Sequence, residues 1–434
     1  MTHRATGSRA LTTGALARVE GEGAMKVDIR DGELVDVQLN IYEPPRFFEG
    51  FLRGRGFNEP ADITARICGI CPVAYQMSAC HALEDALGVT VDGPLRELRR
   101  LLYCGEWIES HTLHVHMLHA PDFLGVDSVI DMAAVDRGAV ERGHEIKTIG
   151  NEIRQVVGGR AIHPVNVKVG GFYRVPTRRE LEPLREQLVR GRELAVEVVA
   201  WVAGFDFPDQ EMDYEFVSTD HPTEYPVLGE RIVSDGGLDI GVAAFLDHVE
   251  EQHVEHSTAL HAHILERGAY LVGPLARYSL HAEKLSARAR AAANEAGLAA
   301  TCRNPFRSII VRAVEVVHAF EVALEIIDGY EAPDRPAVNV EPRAGVGHGV
   351  SEAPRGLLYH RYEIDDDGLI ADAIITPPTS QNQATIEHDL NHYVERHLDL
   401  DDDELRRRAE VTIRNHDPCI SCATHFLDLT VVRS

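Results

Sequence analysis

The sequence predicts a mainly α-helical protein with peripheral strands, an α+β multi-helix body, on three observations. Apolar residues recur at i, i+3 and i+4 through long stretches, apolar–polar alternation is confined to short runs, and no internal repeat or low-complexity linker divides the chain. At 434 residues the chain is longer than a usual single-core domain and, at 44% hydrophobic, can bury a large interior; with no repeat or linker to divide it, residues 1–434 read as a single domain.

Taken in order, Met25-Lys26-Val27-Asp28-Ile29 and Leu34-Val35-Asp36-Val37-Gln38-Leu39 alternate on either side of Asp31-Gly32, which predicts a hairpin. Arg18-Val19-Glu20-Gly21 opens it; read alone, this is a turn with a solvated glutamate. Arg46 to Arg55 is an aromatic-rich run around one acid, Glu49, and a carboxylate among aromatics is costly unless it is paired or bound to a cation. Pro94 to His119 has the spacing of one long helix; His111 and His114 share a face there, but no clear third ligand accompanies them and they read as packing residues. Helices are predicted over 136–158, 178–204, 242–267, 275–297 and 305–328, with an extended, proline-containing segment over 207–240. Residues 345–356 are glycine-rich but lack the strand-then-helix setting and the Lys-Ser/Thr of a phosphate loop, and strands follow over 357–375. The acidic run Asp399 to Glu404 reads as a solvated lead into a helix, with Asp401 to Asp403 near its positive end.

Composition sets the outer limits. A formal net charge of −26 argues against nucleic acid or an anionic membrane as a direct partner. No apolar stretch approaches the length of a membrane span, and Met1 to Ala15 lacks an apolar signal core, so the expected location is the cytoplasm. The 7 cysteines suit metal binding in a reducing compartment better than a disulfide framework. Four of them form two Cys-x-x-Cys pairs, Cys68/Cys71 and Cys419/Cys422; Cys80, Cys104 and Cys302 read as buried apolar residues. Two such pairs offer four sulfurs to zinc, to an iron–sulfur cluster or to a nickel and iron pair, and spacing alone leaves all three open.

The residues flanking the pairs carry a resemblance. Arg66-Ile67-Cys68-Gly69-Ile70-Cys71 and Asp417-Pro418-Cys419-Ile420-Ser421-Cys422-Ala423-Thr424-His425 resemble the two signatures of the nickel–iron hydrogenase large (catalytic) subunit. The resemblance implies that family's multi-helix fold and a Ni-Fe(CO)(CN)2 centre, with Cys68 and Cys419 terminal on nickel and Cys71 and Cys422 bridging to iron. It further implies heterolytic splitting of dihydrogen, with Cys419 receiving the proton and Glu20 relaying it. Arg355, in Glu352-Ala353-Pro354-Arg355-Gly356, would stand over the open face of the metals, Thr379 would hydrogen-bond a diatomic ligand on iron, and Asp417 and Asp122 would lie around the ligands. Glu49 and His425 would hold a buried magnesium or iron.

Tyr75 stands where the commonest form of the first signature has histidine, and the stretch through Gln76-Met77-Ser78-Ala79 resembles the soluble bidirectional subgroup that is linked to NAD(P) and reduces sulfur. That likeness implies an iron–sulfur small subunit and a flavin and NAD(P) reductase module as partners, together with a maturation protease that removes residues 426–434. Three other readings compete with it. They are a hydrogen-sensing regulatory subunit, a zinc-stabilised interaction protein, and a quinone-binding respiratory complex I core subunit, which lacks the four cysteines present here.

Overall fold

Five long helices form the body: α1 (Pro72–Leu87), α2 (Gly93–Leu113), α3 (Arg137–Gly158), α4 (Arg178–Ala203) and α5 (Ser308–Asp328). These belong to a computed structural model that describes residues 9–424. Their ends are set by local chemistry. Asp92 caps α2 by accepting the Gly93 N–H, Asp136 caps α3 at the Ala139 N–H, and Thr177 with Glu180 forms a reciprocal capping box on α4. α2 and α3 cross at paired glycines: a Cβ on Gly105 would lie 2.9 Å from the Gly150 carbonyl, so only glycine allows that approach.

A second layer covers the ends of the body. β1 (Arg9–Thr12), β2 (Gly23–Arg30) and β3 (Glu33–Ile41) form an antiparallel sheet that includes the predicted hairpin. Its inner side chains Met25, Val27, Ile29 and Leu39 form a small core with Ile386, Leu390, Leu405, Ile413 and Ile420. Those partners lie on α6 (Pro378–Arg396), on α7 (Asp402–Arg414), which Asp401 of the acidic run caps, and in the segment just after Cys419. Leu39, Leu390 and Ile413 are fully buried, so hydrophobic burial fixes the C-terminal cysteine pair against the N-terminal hairpin.

Residues 345–356 begin the sheet β9 (Gly345–Ala353), β10 (Gly356–Ile364) and β11 (Ile370–Thr376). The glycines serve packing here: a Cβ on Gly347 would overlap the α1 backbone at Ala82, because this strand lies directly on the helix. The extended segment 207–240 holds β4 (Val217–Asp220), β5 (Arg231–Ser234) and β6 (Asp239–Gly241).

The structure departs from the expected helices in three places. Residues 242–267 are a short helical turn followed by the antiparallel ribbon β7 (Val249–Gln252) and β8 (His261–Ile264). Val249, Ala262 and Ile264 are buried there with Val217, Phe245, Tyr270 and Tyr359, so sheet packing outweighs the helical spacing. Residues 275–297 break into two short helices, Pro274–His281 and Ala287–Glu295, the second capped by Ser286. The helix over 94–119 is α-helical only to Leu113 and π-helical over His114–His119. His111 and His114 do pack, His111 on Glu315 at 2.9 Å and His114 on the Arg414 carbonyl at 2.9 Å.

Buried imidazoles make stability depend on pH. Burial holds His116, stacked on Trp201, and His318, which accepts the Ser286 N–H, at about 4 instead of 6.5. Between those values the unfolded chain binds more protons than the folded one, so the stabilisation is present above pH 6.5 and is lost as pH falls toward 4. The loss approaches about 3 kcal/mol for each histidine. Urea unfolding at neutral pH and near pH 4 checks this, and His116→Gln should flatten the dependence; equal stability at both pH values contradicts it.

Candidate metal centre

The four cysteines of the two pairs meet. Cys68 Sγ lies 3.4 Å from Cys419 Sγ, Cys71 Sγ lies 3.5 Å from Cys422 Sγ, and Cys419 Sγ lies 2.7 Å from Cys422 Sγ. All four are buried free cysteines, their sulfurs within 4.8 Å of one another. The closest separation is well beyond a disulfide bond of about 2.05 Å, so the sulfurs converge on a common point without being cross-linked.

The first pair sits in the turn between the short helix Pro60–Thr64 and α1, whose first helical residue is Pro72. Asp417 leads into the second pair in a left-handed conformation (φ 52°), with its N–H on the Arg414 carbonyl at 3.0 Å. The Glu20 backbone pairs alongside Cys419 and accepts the Ile420 N–H at 3.0 Å. Arg46 joins the two motifs by donating to the carbonyls of Ile67 and Ser421.

Charge is arranged tightly around the sulfurs. Arg355 is buried and donates to the Asp417 carbonyl at 2.8 Å and to its carboxylate at 3.0 Å; Arg355 Nη1 and Asp417 Oδ2 are buried with no hydrogen-bond partner among the described residues. Hydrogen bonds from Cys419, Cys422 and Cys71, with the Arg355 charge behind them, hold the Cys68 thiol well below its ordinary range, whereas burial pushes Cys419 up. Cys419 Sγ lies 3.1 Å from Glu20 Oε2, which also accepts the Ser421 N–H at 3.1 Å. Burial and the neighbouring Cys68 sulfur raise the Glu20 carboxyl above the usual carboxylate range. Tyr75 is buried against this group, and burial together with the Cys422 and Cys71 sulfurs holds its phenol well above its ordinary value.

The other expected site residues fall in distinct places. Thr379, in the first turn of α6, accepts the Cys419 N–H at 3.0 Å. Asp122 is held by Arg18 at 2.5 Å and Arg414 at 2.8 Å, clamping the loop before Glu20 to the end of α7; against the cost of burial, those two cations keep its carboxyl low. Glu49 accepts the Ile375 N–H at 2.8 Å, and burial raises it to about 7. His425 and residues 426–434 lie outside the described residues.

Sequence reasoning missed Arg46 as the tie between the motifs, and missed Arg18 and Arg414 as the clamps on Asp122. Their local sequence carries no signal, because each partner lies on a distant segment.

The donor set fits a soft metal centre: four buried thiols, one of them already favoured as thiolate, beside a cation with an unpaired N–H. Comparison with known proteins agrees. A family profile described as nickel-dependent hydrogenase matches residues 46–145 and 267–425. The sulfhydrogenase 1 subunit alpha of Pyrococcus furiosus is 33% identical over 426 residues, covering 96% of this chain and 98% of that protein. The NAD-reducing hydrogenase HoxS subunit beta of Cupriavidus necator is 28% identical over 471 residues, covering 97% and 95%. A crystal structure of an NAD+-reducing [NiFe]-hydrogenase in the H2-reduced state superposes with a TM-score of 0.87 at 27% identity, covering 96% of this chain and 99% of that one. The chain belongs to the nickel-dependent hydrogenase family, as a large subunit whose two cysteine pairs close on one another.

Proposed function

We propose that this hydrogenase subunit holds a Ni-Fe(CO)(CN)2 centre on Cys68, Cys71, Cys419 and Cys422 and interconverts dihydrogen with protons and electrons. The convergence of four buried sulfurs with Glu20 Oε2 3.1 Å from Cys419 carries the reading. When bound, such a centre supplies the Lewis acidity that polarises dihydrogen for heterolytic splitting.

The chain's own residues do the rest. Cys419, whose thiol burial holds high, keeps a proton at its sulfur, and Glu20 accepts it. A carboxyl 3.1 Å from the Cys419 sulfur is within reach for direct proton transfer, and the burial that raises its proton affinity lets it hold the proton it receives. Arg355 places a fixed positive charge beside the thiolates, and Thr379 and Asp417 fix the backbone around Cys419. Glu49 and His425 are the proposed holders of a magnesium or iron ion.

Electrons leave to a partner. An iron–sulfur small subunit followed by a flavin and NAD(P) reductase module is the proposed route, with sulfur as a further acceptor, supported by relatives described as NAD-reducing hydrogenase and sulfhydrogenase. The assembly is proposed to be cytoplasmic and the segment 426–434 to be removed by a maturation protease. Among the described residues no helix is long and apolar enough to cross a membrane.

Glu20→Gln tests the relay. Nickel and iron content should be unchanged while hydrogen–deuterium exchange falls by about 100-fold or more; exchange at the wild-type rate contradicts the assignment.

A further inference from the structure

Away from the thiols, a second set of metal-ligating side chains converges. Glu387, in the middle of α6, reaches His256 Nε2 at 2.7 Å through Oε1, and its Oε2 lies 3.9 Å from His261 Nδ1. One donor atom from each of the three lies within 4.8 Å of the other two. The imidazoles stand nearly perpendicular, ring centroids 5.7 Å apart, so they approach the carboxylate from different directions.

The arrangement is built and not incidental. The Leu39 N–H fixes Glu387 Oε1 at 2.8 Å, and Thr258, between the two histidines, bonds the carbonyls of Ile41 and Glu43. The His261 side chain is only 4% exposed, yet it makes no hydrogen bond to the carboxylate at 3.9 Å, and its buried Nε2 has no partner among the described residues. A cation seated between His261 Nδ1 and Glu387 Oε2 would bridge a gap that is too long for a hydrogen bond. The side chains of His256 and Glu387 are 23% and 18% exposed, which leaves an ion a route in.

We propose that His256, His261 and Glu387 form a binding site for one borderline divalent transition ion, zinc, separate from the cysteine centre. Two imidazoles and one carboxylate are a zinc donor set, whereas magnesium and calcium prefer oxygen ligands throughout. The ion would staple the ribbon β7–β8 to β3 and α6. The first turn of α6 carries Thr379, which bonds the Cys419 N–H, so the staple braces one wall of the cysteine centre.

The test uses untagged holoenzyme with its nickel in place, stripped of loosely held ions by chelator, desalted, and dialysed against zinc chloride. Zinc and nickel per chain are then measured by mass spectrometry. Wild type should take up one zinc per chain and melt at a higher temperature with zinc than without. His261→Gln and Glu387→Gln should bind zinc at least about tenfold more weakly with nickel per chain unchanged. His256→Gln, on the more exposed ligand, guards against a folding defect in the other two and should lose zinc likewise. No uptake by wild type, or equal uptake by wild type and a variant that retains nickel, overturns the site. Zinc displacing nickel at the thiols would show as lost nickel in every protein alike, which distinguishes failure of the cysteine reading from failure of this one.

Discussion

Arg277→Met is expected to destabilise the chain by about 3–5 kcal/mol, the scale of stripping one partner from a buried ion pair. Arg277, Glu315 and Glu352 are each fully buried. The guanidinium makes a two-pronged bond to Glu315 at 2.8 Å, bonds Glu352 at 3.0 Å, and lies 4.5 Å over the Trp107 ring. Without it, two carboxylates remain buried without their cation. Against the cost of burial, Arg277 holds Glu315 far below the ordinary range, while burial raises Glu352 despite it. Arg277 also donates to the carbonyls of Ala353 and Pro354 at 2.9 and 3.1 Å, fixing the two residues before Arg355, so hydrogenase activity should fall with stability. Arg277→Lys keeps the charge but loses the fork and should cost less, about 1–3 kcal/mol. Urea unfolding followed by circular dichroism reads both; a midpoint for Arg277→Met equal to wild type contradicts the network's role.

The second large effect is on metal loading. Cys422→Ser replaces a soft sulfur with a hard, weakly acidic hydroxyl at a position 1% exposed, and nickel content should fall below roughly a tenth of wild type, with activity following. Cys104→Ala is the matched control. Burial pushes that thiol up to about 12, so it is an inert apolar filler, and its removal should leave metal content unchanged. Loss of nickel in both variants to the same degree would point to misfolding in place of a lost ligand.

Much of the site was legible because its signal is local. Each cysteine pair with its flanks occupies fewer than ten residues, and the hairpin and the helices α3, α4 and α5 bury a face at regular spacing. What escaped depends on contacts between distant segments. The ribbon β7–β8 reads as helix in the sequence because its burial comes from β4 and β10, and no local signal separates that from a helical stripe. Arg46 and Arg277 act through carbonyls and carboxylates on other elements. The sequence drew attention to His111 and His114, which pack, and passed over His256 and His261, whose third donor lies 131 positions beyond His256.

The most direct test of the central claim is metal analysis of the purified protein combined with infrared spectroscopy. If four thiolates from the two ends of the chain hold one nickel–iron centre, wild type contains nickel and iron together and shows carbon monoxide and cyanide stretching bands, and Cys422→Ser loses them. Zinc as the only bound metal, with no such bands in wild type, would contradict the account.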